Sequence, residues 1–265
     1  MKLFYRKYGN GPPLFILHGL YGSSDNWVTI AKNLSEKYTV YLPDQRNHGQ
    51  SPHSDYQNYD LMSDDMNELL DEVKIKKLFL VGHSMGGKVA VNFALKWPEK
   101  INSLVIIDVS PFRYPYPANK YFYEHKHILE SVLSIDLTQI ISRAQVDSVL
   151  VKKIDSEKTR SFILKNLQRT GDKTFTWKMN VKSLNENLEK IIDGLPRPDS
   201  NTEPVTGFPV TFIKGENSDY LSDDEFNAIK ILFPAAEMIT VKNAGHWVHA
   251  ERPDAITEIL LNQLN

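Results

Sequence analysis

Short apolar runs alternate with stretches of helical spacing along most of this chain, and that rhythm predicts βαβ units around a mostly parallel sheet. The runs that read as strands cover 2–8, 13–18, 38–42, 77–82, 101–107, 209–214 and 237–241. Helical periodicity marks 25–35, 60–73, 84–96 and 222–231, with a closing helix after Pro253. The expected fold class is α/β, a central sheet with helices on both faces.

Between 111 and 205 the rhythm breaks. Prolines crowd both ends, at Pro111, Pro115 and Pro117 and again at Pro196, Pro198 and Pro204, and the interior carries helix-period stretches such as 121–133 and 156–169. A structureless connection of that length inside a compact domain is improbable. The pattern therefore predicts a core of 1–110 and 206–265 with a helical insertion at 111–205. Placed above the carboxyl edge of the sheet the insertion would cap a cleft. A helical bundle that only extends the core is the plainer alternative.

The most informative stretch is Leu78 to Val91, an apolar run, the turn Gly82-His83-Ser84-Met85-Gly86 and a helical run in unbroken succession. A serine at the apex of a tight strand-to-helix turn has its hydroxyl pushed into a cleft, which makes Ser84 the candidate nucleophile. The next amide, that of Met85, lies in the first turn of the helix, where N–H groups lack intrahelical partners and can meet an oxyanion. A second donor is expected from the loop after an early strand. His18-Gly19-Leu20-Tyr21-Gly22 has that form, with glycines that let the backbone at Leu20 approach the serine. A phosphate-binding loop would need a Gly-Lys-Ser or Gly-Lys-Thr ending, absent here and after Gly87-Lys88.

A serine nucleophile needs a base, and Gly245-His246-Trp247-Val248-His249 supplies one just past the last expected strand. An imidazole can take the serine proton and return it to the leaving group near neutral pH. The glycine before His246 favours that residue over His249, which reads as a polar residue at the start of the last helix. Two carboxylates keep the chain order serine, acid, histidine: Asp108 at the end of one strand and Asp219 in the loop after another. The residues alone leave both open.

Other features receive plainer readings. His125 and His127 alternate along one helix and so point apart, and His246 and His249 lack an evident third ligand, so neither a metal nor a cofactor is expected. The polar loop from Asp44 to Ser51 fixes local geometry. Tyr114, Tyr116, Tyr121, Phe122 and Tyr123 are candidates for an acyl pocket or for packing.

Composition narrows the partners. A chain of 265 residues with 41% hydrophobic content suffices for one large core, and a net charge of −2 with scattered basic residues offers no footprint for nucleic acid. Absence of cysteine excludes disulfides and a thiol nucleophile. The segment Met1 to Tyr8 is charged where a secretory signal would be apolar, and no stretch suits a bilayer span, so a cytoplasmic protein acting on a small molecule is expected.

Taken together, His18 to Ser23, Asp44 to Ser51, Gly82 to Lys88, Asp108 to Pro111 and Gly245 to His249 resemble the α/β-hydrolase fold. Within it the Arg46-Asn47-His48-Gly49 loop, the Met85-Gly86-Gly87-Lys88 turn and the Ile107-Asp108-Val109-Ser110-Pro111 strand end are most similar to YbfF-type esterases. The resemblance implies hydrolysis of acyl esters, with acyl-CoA thioesters among the implied substrates, through a Ser-His-Asp triad and an acyl-enzyme. Many capped members place the acid three residues after the glycine that ends the penultimate strand, yet that position after Gly215 holds Ser218. Resemblance to the YbfF-type group, where an aspartate after the earlier strand serves, implies Asp108 as the acid and Ser218 as a second polar partner. Two readings compete with the esterase: carbon–carbon cleavage as in relatives that make menaquinone precursors, and a ligand-binding receptor on a hydrolase scaffold.

Overall fold

A computed structural model describes residues 1–114, 119–171, 174–199 and 201–264. The first half runs β1 (Tyr5–Tyr8), β2 (Pro13–Leu17), α1 (Val28–Leu34), β3 (Thr39–Pro43), α2 (Tyr59–Glu72), β4 (Leu78–His83), α3 (Met85–Lys96) and β5 (Ile101–Ile107). There follow α4 (Lys120–Leu133), α5 (Arg143–Leu150), α6 (Glu157–Leu164), β6 (Leu167–Arg169), β7 (Phe175–Trp177), α7 (Val181–Glu186) and α8 (Leu188–Ile192). The chain then returns through β8 (Val210–Gly215), α9 (Asp223–Leu232), β9 (Glu237–Val241), α10 (Val248–Glu251) and α11 (Pro253–Gln263).

Seven strands form one sheet in the order β1-β3-β2-β4-β5-β8-β9, parallel throughout except for β1 against β3. Each expected strand is present, the first beginning at Tyr5 rather than at 2. Side chains alternate across the sheet, so Leu14, Ile16, Val105 and Ile107 pack under α1 and α11. Phe15, Leu17, Leu104 and Ile106 face the other way, into the cluster that holds α2 and α3. Fully covered strands explain why their sequences read as continuous apolar runs.

The segment between β5 and β8 leaves and re-enters the core at one neck. Arg113 N donates to Leu195 O at 2.9 Å and Leu195 N to Pro111 O at 2.9 Å. The expected helix at 121–133 is α4, but the stretch 156–169 is not one helix. It ends as α6 at Leu164, and Leu167–Arg169 pairs antiparallel with Phe175–Trp177. Tertiary pairing overrides helical spacing there: the Arg143 guanidinium takes Leu167 O at 2.6 Å, and Arg169 lies over the Phe175 ring. Polar contacts tie this segment down, with Asn180 N donating to Asn47 O at 2.9 Å and Asn166 Nδ2 to Tyr21 O at 2.8 Å.

Candidate active site

The turn from β4 into α3 holds Ser84 at φ +53°, ψ −121°, a conformation that costs a non-glycine residue of order 1–3 kcal/mol. The surroundings enforce it. Ser84 N donates to Ile107 O at 3.0 Å, and α3 crosses so close to β2 that a Cβ on Gly86 would sit 2.4 Å from Leu17 O. On the facing side a Cβ on Gly19 would lie 3.1 Å from Ser84 Cβ, so the loop carrying Leu20 packs directly against the serine. Met85 opens α3, and its amide is therefore among those without an intrahelical acceptor.

The loop after β9 carries His246 over the sheet's carboxyl edge to Ser84. Its Nε2 lies 3.0 Å from Ser84 Oγ, and its Nδ1 lies 2.8 Å from Asp108 Oδ2. With the carboxylate accepting from Nδ1–H, the Nε2 lone pair is left to accept from the serine hydroxyl. Asp108 is fully buried after β5 and also accepts from Gly215 N at 2.8 Å and from the Ser218 hydroxyl. Asp219 points away. It is exposed and paired with Lys120, whose hydrogen bond pulls its carboxyl below the usual range. The sequence candidates Ser84, His246, Asp108, Ser218, Leu20 and Met85 thus converge, and Asp219 does not.

Further side chains surround this group, and of these sequence reasoning missed Tyr220 and His83. The Tyr220 ring stacks on the His246 imidazole, centroids 3.8 Å apart and 19° between planes. His83 Nε2 donates to His246 O at 2.8 Å, and burial drives its pKa well below the ordinary value, so it stays neutral. His249 is stacked on Trp27 at 4.4 Å, and burial lowers it to about 3. His125 bridges two walls: its Nδ1 is 3.1 Å from Tyr21 Oη, its Nε2 is 3.4 Å from Tyr220 Oη, and burial lowers it to about 4. His127 turns instead to Lys153 O. The only sequence signal for Tyr220 is its place two residues beyond Ser218.

In the loop from Asp44 to Ser51, Asp44 accepts from Ser24 N at 2.6 Å and from Gln50 N at 2.8 Å, contacts that fix local geometry. Gln45 N donates to His18 Nε2 at 3.0 Å, so His18 carries its proton on Nδ1 and donates to Gly19 O at 2.9 Å. This steadies the Leu20 loop, and burial lowers His18 to about 4. Of the candidate aromatic lining, Tyr114 and Tyr121 reach the neighbourhood of Ser84, Phe122 lines a separate cavity with Tyr114, and Tyr123 is exposed. Tyr116 lies outside the described residues. A cavity of about 370 Å³ opens over Ser84 and His246, bounded by Tyr21, Ile128, Phe162 and Trp247, with the Lys158–Glu251 ion pair beside it.

The sheet order, the strand-to-helix turn and the convergence at its carboxyl edge define a class, and residues 12–253 match the family model of the α/β hydrolase fold. The chain belongs to that family. It is similar to the zebrafish (Danio rerio) sn-1-specific diacylglycerol lipase ABHD11, 36% identical over 95% of this chain and 78% of that protein. It is also similar to the esterase YbfF of Escherichia coli K12, 31% identical over 97% of this chain and 94% of that one. Among solved structures, a marine microorganism esterase superposes with a TM-score of 0.93, 40% identity and 99% coverage of both chains. Among the described residues no helix is long and apolar enough to cross a membrane.

Proposed function

We propose that the chain is a carboxylic ester hydrolase that cleaves small acyl esters through Ser84, with acyl thioesters open to the same chemistry. The observation that carries the reading is the chain of two contacts, Ser84 to His246 at 3.0 Å and His246 to Asp108 at 2.8 Å, a geometry in which an imidazole with its proton on Nδ1 can take the serine proton. Names of the relatives, lipase and esterase, support the same class. In this mechanism Ser84 Oγ attacks the acyl carbonyl while His246 Nε2 takes its proton. The carbonyl oxygen gains negative charge, and the Leu20 and Met85 amides stabilise it. His246 then protonates the leaving oxygen or sulfur, which departs and leaves an acyl-serine. Water attacks this ester with His246 again as base, the acyl–Oγ bond breaks as His246 returns the proton to Ser84 and the carboxylic acid leaves, and Asp108 supports the imidazolium in both halves. The segment from α4 to α8 acts as a cap: His125 and Phe162 come from it and wall the cavity.

A serine-directed fluorophosphonate should label Ser84 alone, and Ser84→Ala should lower hydrolysis of p-nitrophenyl acetate by about a thousandfold or more with the fold retained. Undiminished turnover in the purified variant would remove Ser84 from the mechanism.

A further inference from the structure

Ser84 stands between two cavities of very different size. The larger, about 370 Å³, contains His246. The smaller, about 30 Å³, lies on the side of Met85 and Val109 and is closed by Tyr59, Tyr114, Tyr121 and Ile191. On the serine esterase reading above, which this inference rests on, the chemistry sorts an ester between them. The departing oxygen must receive its proton from His246 Nε2, so the leaving group occupies the cavity that contains His246. The acyl substituent is left the small one.

We infer that this small cavity is the acyl site, that it takes an uncharged, unbranched acyl group of two or three carbons, and that Tyr59 and Lys88 are the wall that sets the length limit. Size comes first. A water-sized group needs about 10–15 Å³ by this measure, so the space accepts roughly two such groups beyond the carbonyl carbon on Ser84.

Chemical character comes from the hydroxyls and the lysine, whose donors are already committed. Tyr114 Oη donates to Tyr220 O at 3.0 Å, Tyr121 Oη to Asp219 O at 2.8 Å, and Tyr59 Oη to Ile191 O. Lys88 Nζ donates to Ile192 O at 3.0 Å and Asp193 O at 2.6 Å, with Phe112 O at 3.4 Å. An acyl carboxylate, which can only accept, would have to break one of these bonds to find a donor, whereas a methyl or ethyl group meets ring faces and aliphatic carbon.

The wall is one residue thick. Tyr59 and Lys88 also line a second cavity of about 300 Å³, which contains Asn58, Asn92 and Asp193. Both residues are pinned to the end of α8 by the carbonyl bonds just given. Removing the Tyr59 ring would therefore join the acyl site to that larger space and open a path for longer chains.

The test is a series of p-nitrophenyl esters from acetate to decanoate, which keeps the leaving group constant. For the wild-type enzyme kcat/KM should peak at acetate or propionate and fall about a hundredfold by hexanoate. Tyr59→Ala should move the peak at least two carbons longer, while Tyr59→Phe, which keeps the ring and loses the hydroxyl, should keep the peak at acetate or propionate whatever its absolute kcat/KM. Ile191→Ala provides an independent enlargement that spares Tyr59, and it should also favour longer chains. Circular dichroism and phosphonate labelling of Ser84 report that each variant is folded. A wild-type enzyme that is labelled and active but indifferent to chain length overturns this inference alone, as does an unchanged profile in both enlarged variants. A protein inert to every ester and to the phosphonate overturns the esterase reading, and this inference with it.

Discussion

Two carboxylates could orient His246, and single-residue surroundings separate them. Asp108 is fully buried, accepts from His246, Gly215 N and the Ser218 hydroxyl, and has no solvent to replace any of them. Asp219 is exposed and paired with Lys120. Replacing Asp108 by asparagine puts an amide where a carboxylate supported the imidazolium and favours the wrong tautomer. Asp108→Asn should therefore lower kcat by about ten-thousandfold, Ser218→Ala should be intermediate, and Asp219→Asn should stay near wild type. Steady-state kinetics on the three variants, each with its melting curve, decide this. A dead Asp219→Asn beside a near-normal Asp108→Asn would transfer the acid role to the later loop. From the chain alone both residues sit in fitting loops, because sequence records chain order and not which side chain turns inward.

At the scale of elements, the site depends on how closely α3 approaches β2. A Cβ on Gly86 would stand 2.4 Å from Leu17 O and 2.6 Å from His18 O, both backbone atoms that cannot rotate away. Gly86→Ala must push the helix from the strand, and with it Ser84 and the Met85 amide from the Leu20 loop. We expect a loss of stability of about 1–3 kcal/mol, the usual cost of overpacking, together with reduced turnover. Gly171→Ala provides the contrast, since a Cβ there meets nothing within 4 Å, and its midpoint should stay within about 0.5 kcal/mol of wild type. Denaturant titration of both variants measures the difference, and equal midpoints would discard the close-approach account. The β4–α3 turn was legible because its glycines, apolar run and helix are contiguous. The β6–β7 hairpin was not. Its pairing joins residues six to ten apart, and contacts made across the fold, such as Arg143 to Leu167 O, distinguish it from a continuing helix.

The whole molecule carries a pH signature written by its buried histidines. Burial lowers His18 and His125 to about 4 and His48 and His249 to about 3, and it holds His83 well below its ordinary 6.5. In the unfolded chain these rings bind protons below about pH 6.5. Folded-state values are depressed, so the stabilisation from keeping the rings neutral is full above the unfolded value and is lost as pH falls toward the folded ones. Each extra proton bound on unfolding contributes a slope of about 1.4 kcal/mol per pH unit. The urea midpoint should therefore begin to drop just below pH 6.5, before carboxylates titrate, and fall steeply to pH 4. A midpoint constant from pH 7 to pH 5 would contradict neutral burial of these rings.

What the sequence determined by itself was whatever short-range order encodes. Alternating apolar runs and helical periods specify strands, helices and hence the parallel sheet, because burial on both faces demands continuous apolar strands. Gly82-His83-Ser84-Met85-Gly86 specifies the turn, since only glycine tolerates the backbone approaches at 82 and 86. Tertiary structure decided the rest, because the remaining relations join separate elements, most of them through residues more than ninety positions apart. Tyr220 stacks on His246 from another loop, His125 comes from α4 to bridge Tyr21 and Tyr220, and Asp108 becomes the histidine's partner because β5, β8 and β9 lie in succession in the sheet. Tyr59 and Lys88 meet the end of α8 only once the chain between β5 and β8 has folded back onto α2 and α3. Local pattern identifies the groups that can react, whereas the space around them exists only after strands distant in sequence have paired.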